Sequence, residues 1–273
     1  MFAAISNTNY EGEIKGMGDK VYIRTIGNVA INDYQKGQKL NYETIESPDV
    51  ELLIDKGKYF AFTLDDVDKY QSNIRLMDEW STDAAEQMKI VIDAQVLQSV
   101  TYGTSGTFPG SADNTNTTAG VVSGSYNLGV ATAPVQITKT NVIEYIVDCG
   151  SVLDEQNVPE SGRWMVIPSW MANLILKSDL KDASLTGEST TILRNGRIGV
   201  IDRFTLYLSN NLYSATDGSF TGYYVPFGTN HAITFAAQIT KMETLRAEST
   251  FGDLVRGLNV YGYKVIKPEA LGL

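Results

Sequence analysis

The chain has 273 residues, with one cysteine, one histidine and a formal net charge of −10. A chain of this length can bury a large apolar core without covalent staples. Its 22 Lys and Arg against 32 Asp and Glu argue against a protein that binds nucleic acid tightly through phosphates, because such binding needs a basic face.

The N-terminal region predicts an arm followed by a β-ribbon. Residues 1–18 are polar with scattered glycines, and no signal peptide or membrane-length apolar run is found. Alternating apolar residues then predict strands without an intervening helix over residues 19–64, with a bulge or tight bend at 56–58. An isolated two-stranded ribbon is marginal in water, so this segment must lie on the chain's own body or on a neighbour.

The strongest helical pattern follows the ribbon. Apolar residues recur at spacings of three, four and seven from Val67 to about Val100, and Asp65 and Asp66 offer an acidic first turn. The pattern predicts one long helix or, if Ser81–Asp83 caps a second segment, two shorter ones. The acidic start lacks the alternating ligands and turn glycine of a calcium loop, so we interpret it as a helix terminus.

The rest of the chain predicts an α/β or α+β body. Residues 104–137 are rich in Gly, Ser, Thr, Ala and Asn with a single charge, which predicts a long surface loop. The elements expected after it are helices at 141–156 and 169–178, strands at 163–167, 232–239 and 254–267, a strand or hairpin at 197–208, and a polar loop at 209–222.

Cysteine and histidine, which often carry chemistry, occur once each. Cys149 lies in an apolar stretch with helical spacing, so we interpret it as a small buried hydrophobe. A catalytic cysteine needs a base, and His231 lies more than eighty residues away in a strand-like run. Zinc sites need several Cys and His ligands at short spacing, so the sequence predicts no catalytic, metal or cofactor site.

Three segments together resemble the major capsid proteins of tailed bacteriophages, which share the Hong Kong 97-type fold. They are the ribbon with its long helix (19–100), a glycine-flanked strand running into a Ser-Asn-Asn turn (195–212), and a terminal strand with the pattern Arg-Gly-x-x-x-Tyr-Gly-x-x-Val…Pro (252–270). One departure is Asp202-Arg203, where relatives often have glycine before the aromatic residue. The resemblance covers nearly the whole chain in the family's order.

The resemblance implies an α+β, Hong Kong 97-like capsid fold. Its parts would be an N-terminal arm (1–18), an extended β-hairpin loop (19–64), a peripheral domain with the spine helix (65–137 and 232–273) and an axial domain (138–231). The implied function is structural and not enzymatic: self-assembly as hexamers and pentamers into an icosahedral shell around double-stranded DNA. Ring contacts would be heterologous, with one surface docking on a different surface of the next subunit.

The resemblance also implies partners and a location. Besides its own copies, the expected partners are a scaffolding protein and a portal, with the need for a decoration protein left open. An acidic wall would make only weak, non-specific contact with packaged DNA, and no membrane is involved. The expected location is the virion capsid, assembled in the host cytoplasm. Since many relatives carry a cleaved scaffolding segment, the chain is either a processed form or uses separate scaffolding.

Five charged residues are candidates for contacts between subunits. Lys36 and Lys39 lie near the expected ribbon tip, where some relatives form a lysine–asparagine isopeptide bond. No acidic residue with a matching asparagine can be assigned, so we interpret both lysines as solvated residues that protect an edge strand. Glu243, Arg246 and Glu248 suggest inter-subunit ion pairs around threefold contacts; the alternative is a solvated edge that adds little stability.

Three other functions stay open from the residues alone. An encapsulin-like nanocompartment shell has the same architecture, although the terminal strand favours a phage coat. An enzyme would need a nucleophile–base pair or a metal cluster, and no Gly-x-Ser-x-Gly elbow is present. The long helix argues against a β-rich binding module such as a tail or adhesin protein.

Overall fold

A computed structural model describes residues 2–9, 20–24, 31–33, 35–39, 42, 49–65, 76–101, 123, 125–129, 134–178, 197–217, 220–238, 242–247 and 251–273. The helices are α1 (Phe2–Ile5), α2 (Leu76–Thr101), α3 (Val142–Glu155) and α4 (Ser169–Lys177), with a 3-10 turn at Pro268–Ala270. The strands are β1 (Lys20–Arg24), β2 (Asp49–Leu53), β3 (Lys56–Asp65), β4 (Arg163–Ile167), β5 (Arg197–Ile201), β6 (Phe204–Leu208), β7 (Ser214–Asp217), β8 (Phe220–Tyr223), β9 (Phe227–Thr229), β10 (Ile233–Gln238), β11 (Met242–Arg246), β12 (Gly252–Val265) and β13 (Leu271–Gly272). Within these ranges, no helix combines the length and the apolar character needed to cross a membrane.

One sheet, here called the β12 sheet, is built around the 14-residue strand β12. β3 pairs antiparallel along one edge of β12, from Gly252 opposite Asp65 to Tyr261 opposite Lys56. β10 and β11 pair antiparallel with successive parts of the other edge. Along β3, from Lys56 to Leu64, exposed and covered side chains alternate, as expected for a strand with one face on a core.

A second sheet, the β4 sheet, has the strand order β13-β9-β4-β6-β5. β4 is parallel to β6 and antiparallel to β9. All five β4 residues are buried, which explains why the strand is a nearly continuous apolar run and not an alternating one. The predicted strand at 163–167, helices at 141–156 and 169–178, and hairpin at 197–208 are confirmed.

α2 is continuous from Leu76 to Thr101, so the prediction that a second helix starts at Ser81–Asp83 is wrong. The hydroxyls of Ser81 and Thr82 donate to the carbonyl oxygens of Met77 and Asp78, four residues back, at 2.6 and 2.8 Å. These bonds belong to the interior of a helix and not to an N-cap. Asp65 is the last residue of β3 and therefore does not start the helix, while Asp66 lies outside the described residues.

Two further sequence expectations are corrected. Residues 56–58 are the regular start of β3, and the break between β2 and β3 lies just before them, at Ile54 and Asp55. The expected polar loop at 209–222 contains the β7–β8 hairpin, in which Thr216 and Thr221 are directly opposite each other. Both threonines are β-branched, and β-branched residues favour strands. The polar composition of the segment nevertheless led to the prediction of a loop.

Two apolar clusters lie on opposite faces of the β12 sheet. The larger contains Phe235 and Tyr261 and continues through α2, α3, α4 and the β4 sheet. The smaller contains Ala236 and Val260. Phe235 and Ala236 are neighbours in β10, and Val260 and Tyr261 are neighbours in β12. Because successive side chains of a strand point to opposite faces, one residue of each pair lies in each cluster. We call the faces the helix face, which carries Tyr261, and the ribbon face, which carries Val260.

The described part of the predicted arm, residues 2–9, lies on the chain itself. Ile5 is fully buried in the larger cluster. Asn7 donates its backbone N–H to the Ile233 carbonyl at 2.8 Å and accepts from the Phe235 N–H at 3.0 Å. The arm's remaining residues, 1 and 10–18, lie outside the described ranges.

Candidate assembly surfaces

The β1–β2 ribbon is seated on the ribbon face of the β12 sheet. β1 and β2 pair antiparallel, and their alternation places Val21, Ile23 and Leu52 on one side together with Ile54. These residues are buried against Ala236 and Val260. The body therefore covers the ribbon root, whereas Tyr22 and Leu53 of the same strands are exposed.

Lys36 and Lys39 lie in the connection between β1 and β2, and both are exposed. The Gln38 N–H donates to the Gln35 carbonyl at 3.0 Å and so closes a tight turn. Gly37 has a φ of +90°, which a type II turn requires at its third position and which glycine tolerates best. The local sequence thus builds a defined turn that presents two cations to solvent.

Glu243 and Arg246 form ion pairs across β11 and β12 within the chain. Arg256 Nε donates to Glu243 Oε2 at 3.0 Å, and Arg246 Nη1 lies 3.5 Å from Asp253 Oδ1. The register places each pair directly opposite, on alternate faces of the sheet. Glu248, the third candidate on this segment, lies outside the described residues.

Beyond the ribbon root, the ribbon face carries exposed apolar side chains. Tyr59 of β3 is opposite Leu258 of β12, and Leu254 of β12 is opposite Leu245 of β11. Tyr59 is 79% exposed, and Leu245 and Leu258 are exposed as well. Clustered apolar exposure of this kind marks interaction surfaces in soluble proteins. Sequence reasoning missed it, although the alternation of Tyr59, Ala61 and Thr63 with Phe60 and Phe62 was a usable signal.

An ion-pair network at the end of α3 also went unpredicted. Arg163 has a fully buried side chain, and its Nη2 donates to Asp154 Oδ1 at 2.7 Å. The same guanidinium donates to the carbonyl oxygens of Gly150, Val158 and Pro159 at 2.6 to 3.1 Å.

Arg203, on the β5–β6 turn, completes the network. Its Nη2 lies 2.8 Å from Asp154 Oδ2. Partial burial acts to raise the pKa of Asp154, but the hydrogen bonds from Arg163 and Arg203 outweigh it and hold the pKa below its usual range. The network therefore ties the β5–β6 hairpin to α3 and to the start of β4.

The β5–β6 turn also explains the departure from the family pattern. Asp202 has a φ of +53°, in the left-handed region that aspartate tolerates better than most residues. Arg203 does not have a positive φ. The turn therefore does not need glycine before Phe204.

Cys149 and His231 do not form a site. Cys149 is fully buried on α3, and burial raises the pKa of its thiol, so the interpretation as a buried hydrophobe is confirmed. His231 is exposed in the turn between β9 and β10 and not in a strand. In the part of the chain that the structure covers, no group of three or more His, Cys, Asp or Glu is placed to hold a metal.

The chain matches the model of a phage capsid protein family over residues 49–272. Among solved structures it is similar to one from Mycobacterium phage Che8, with 26% identity, 99% of this chain and 89% of that chain covered, and a TM-score of 0.70. It is also similar to the capsid structure of Cyanophage P-SCSP1u, with 16% identity, 94% and 83% covered, and a TM-score of 0.66. A virus-like particle from Pyrococcus furiosus has 11% identity, 99% and 90% covered, and a TM-score of 0.53. No curated protein matches the sequence.

The mixed helix-and-sheet fold and these matches define a structural protein of a viral shell, not an enzyme. The chain belongs to the phage capsid protein family. Proteins of this family assemble with copies of themselves into the virion capsid.

Proposed function

We propose that the chain is the major capsid protein of a tailed phage with the Hong Kong 97-type fold, and that it assembles as hexamers and pentamers into an icosahedral shell enclosing double-stranded DNA. The ribbon carries this proposal. Its root is buried on the β12 sheet, while the turn with Lys36 and Lys39 is exposed. A ribbon held firmly at one end can reach a neighbouring subunit without enlarging the core.

The proposed division of the chain follows the family architecture. Residues 1–18 are the arm and 19–64 the extended loop, of which the last strand, β3, is paired with β12 of the body. Residues 65–137 and 232–273 form the peripheral domain, in which α2 is the spine helix. Residues 138–231 form the axial domain, whose loops meet at the centre of each ring.

The proposed contacts between subunits use the exposed turn and the ribbon face. Lys36, Lys39, Glu243, Arg246 and Glu248 are the candidate contact residues. The exposed Tyr59, Leu245 and Leu258 support a docking role for this face, because they offer apolar area beside the Glu243–Arg256 pair, whereas Arg246 and Asp253 lie on the opposite face. Such contacts are heterologous and close into rings.

The proposed partners are a scaffolding protein, a portal and, where the shell needs one, a decoration protein. The net charge of −10 supports weak, non-specific contact with packaged DNA, because an acidic wall does not hold phosphates. Assembly takes place in the host cytoplasm, and the protein ends in the virion capsid.

The test is expression of the full chain alone and together with scaffolding, followed by electron microscopy of the particles. Closed icosahedral shells with rings of five and six subunits are expected. Monomers under every assembly condition would overturn the proposal.

An encapsulin-like nanocompartment is the second candidate function. It is supported by the likeness to the Pyrococcus furiosus particle, which has a lower sequence identity and a lower TM-score than the likeness to the Che8 structure. Particles from the native source that carry an enzyme instead of DNA would favour it.

A further inference from the structure

α2 exposes three large apolar side chains, one near its start and two just past its middle. Ile92, Val96, Leu97 and Val100, in the second half, are buried. By contrast, Trp80, Ile90 and Val91 are 44%, 46% and 47% exposed. A helix that packs on one side normally turns such residues inward, so this outer surface is unusual for a helix that only supports a core.

The exposed residues form two adjacent rows on the helix. Trp80, Gln87 and Val91 follow one another at spacings of seven and four, which places them along one line. Glu79, Asp83, Glu86 and Ile90 form the neighbouring line at spacings of four, three and four. Trp80 and Val91, with Gln87 between them, thus lie beside a row of three carboxylates that ends at Ile90, and Lys89 is the one basic residue of the helix.

This surface points away from the ribbon. α2 packs on the helix face of the β12 sheet, where Trp80 meets Phe62 edge-on at 5.9 Å and the Tyr261 hydroxyl donates to Gln95 Oε1 at 2.7 Å. The ribbon root occupies the opposite face of the same sheet. Among the described residues, the ribbon root therefore does not cover α2, and Trp80 lies at the edge of the packed side, with one part on Phe62 and 44% of its surface exposed.

We propose that the outer side of α2 is a docking surface for a basic amphipathic helix of a second protein. Trp80, Ile90 and Val91 offer exposed apolar area on which the apolar stripe of an amphipathic helix can pack. The carboxylate row selects a partner with Lys or Arg beside its own apolar stripe and disfavours an acidic one. This surface goes beyond the shell function, and its occupation does not require closed shells.

The test uses the folded full chain and an 18-residue peptide of Leu and Lys in a helical heptad pattern, labelled for fluorescence anisotropy at 150 mM salt. A peptide of the same composition in scrambled order is the control. The patterned peptide is expected to bind at least about tenfold more tightly, because only its helical form gathers the leucines on one side. Equal affinity of the two peptides would overturn the proposal.

Two triple variants separate the surface from general charge attraction. Glu79→Gln/Asp83→Asn/Glu86→Gln is expected to weaken binding of the patterned peptide by about tenfold or more. The matched variant Asp33→Asn/Glu144→Gln/Glu269→Gln removes the same charge from exposed positions elsewhere and is expected to change affinity less than about twofold. Equal losses of peptide affinity in the two variants would overturn the proposal. The proposal would also be overturned if Trp80 became inaccessible to solvent when the chain assembles without peptide, because α2 would then be an interface between copies of the chain. Circular dichroism confirms that each variant is folded.

Discussion

The carbonyl oxygen of Leu53 lies so close to the α-carbon of Gly262 that a methyl group at Gly262 would overlap it. Leu53 is the last residue of β2, and Gly262 lies on the ribbon face of β12. The missing side chain therefore sets how closely the ribbon root approaches the sheet. This approach brings Ile54 and Val260 into the smaller apolar cluster.

Gly262→Ala is expected to destabilise the fold by about 1–3 kcal/mol, the usual cost of overpacking. The clash is with backbone, which cannot move aside as a flexible side chain can. Urea unfolding measures the loss, and limited proteolysis between β1 and β2 shows whether the ribbon has lifted. Gly57→Ala is the control, because its nearest atom, Leu258 Cδ1, would lie 3.9 Å away. Equal behaviour of the two variants would show that the ribbon is not seated on Gly262.

Asp154→Asn is expected to cost about 2 kcal/mol, because the buried Arg163 guanidinium loses its counter-charge. The value is below the ~3–5 kcal/mol for breaking a fully buried pair, since the Asp154 side chain is 40% exposed and water screens it. Glu144→Gln, at an exposed position on the same helix, is the control and is expected to stay within about 0.5 kcal/mol of the parent. The free energies of unfolding of both variants, measured in urea, test these two expected values.

The pH dependence of the same network has a definite sign. The folded-state pKa of Asp154 is lowered, so its stabilisation is complete above the unfolded value of about 3.9. It is lost as the pH falls from there through the lower folded-state value. The stability difference between the parent and Asp154→Asn should therefore shrink below about pH 4, as measured by urea midpoints. A difference that stays constant down to pH 2.5 would contradict this.

Cys149 is expected to resist thiol reagents in the folded protein. Burial raises the pKa of its thiol, and the reactive species is the thiolate. At pH 8, labelling should follow global unfolding in denaturant. The control Lys36→Cys/Cys149→Ala, with its thiol on the exposed turn, should react at once. Rapid labelling of the native parent would contradict the buried position.

Arg246→Ala separates stability from assembly. Its pair with Asp253 involves an Arg246 side chain that is 60% exposed, and exposed pairs contribute less than about 1 kcal/mol. The melting temperature should therefore hardly change, while shell assembly should fall if Arg246 also contacts a neighbour. Lys177→Ala, which removes an exposed cation from α4, is the control. Unchanged assembly by Arg246→Ala would remove Arg246 from the proposed interface.

Local patterns predicted the elements but not how the strands pair. The spacing of Val142, Ile146 and Cys149 was enough to predict α3, because a helix repeats every 3.6 residues. β3 and β12 lie far apart in the sequence, and their alternation is compatible with many partners. Nothing in the local pattern shows that β3 leaves the ribbon and joins the β12 sheet.

The candidate contact residues show the same limit. Lys36, Lys39, Glu243 and Arg246 were found from charge and position, but the intrachain partners of the last two depend on the register of β11 against β12. Arg163 could have been noticed, because an arginine that opens a wholly apolar strand needs a carboxylate nearby. Which carboxylate provides it depends on how α3 packs, and a single sequence does not contain that information.

The long ladder between β3 and β12 has a mechanical consequence. The ribbon joins the body through Ile54 and Asp55 and then continues directly into β3, which pairs with β12 over ten residues from Lys56 to Asp65. Antiparallel hydrogen bonds lie perpendicular to their strands. A pull on the ribbon along the direction of β3 therefore loads these bonds together in shear instead of opening them one at a time. The joint is strong along that direction and weaker when the ribbon is peeled away from the sheet.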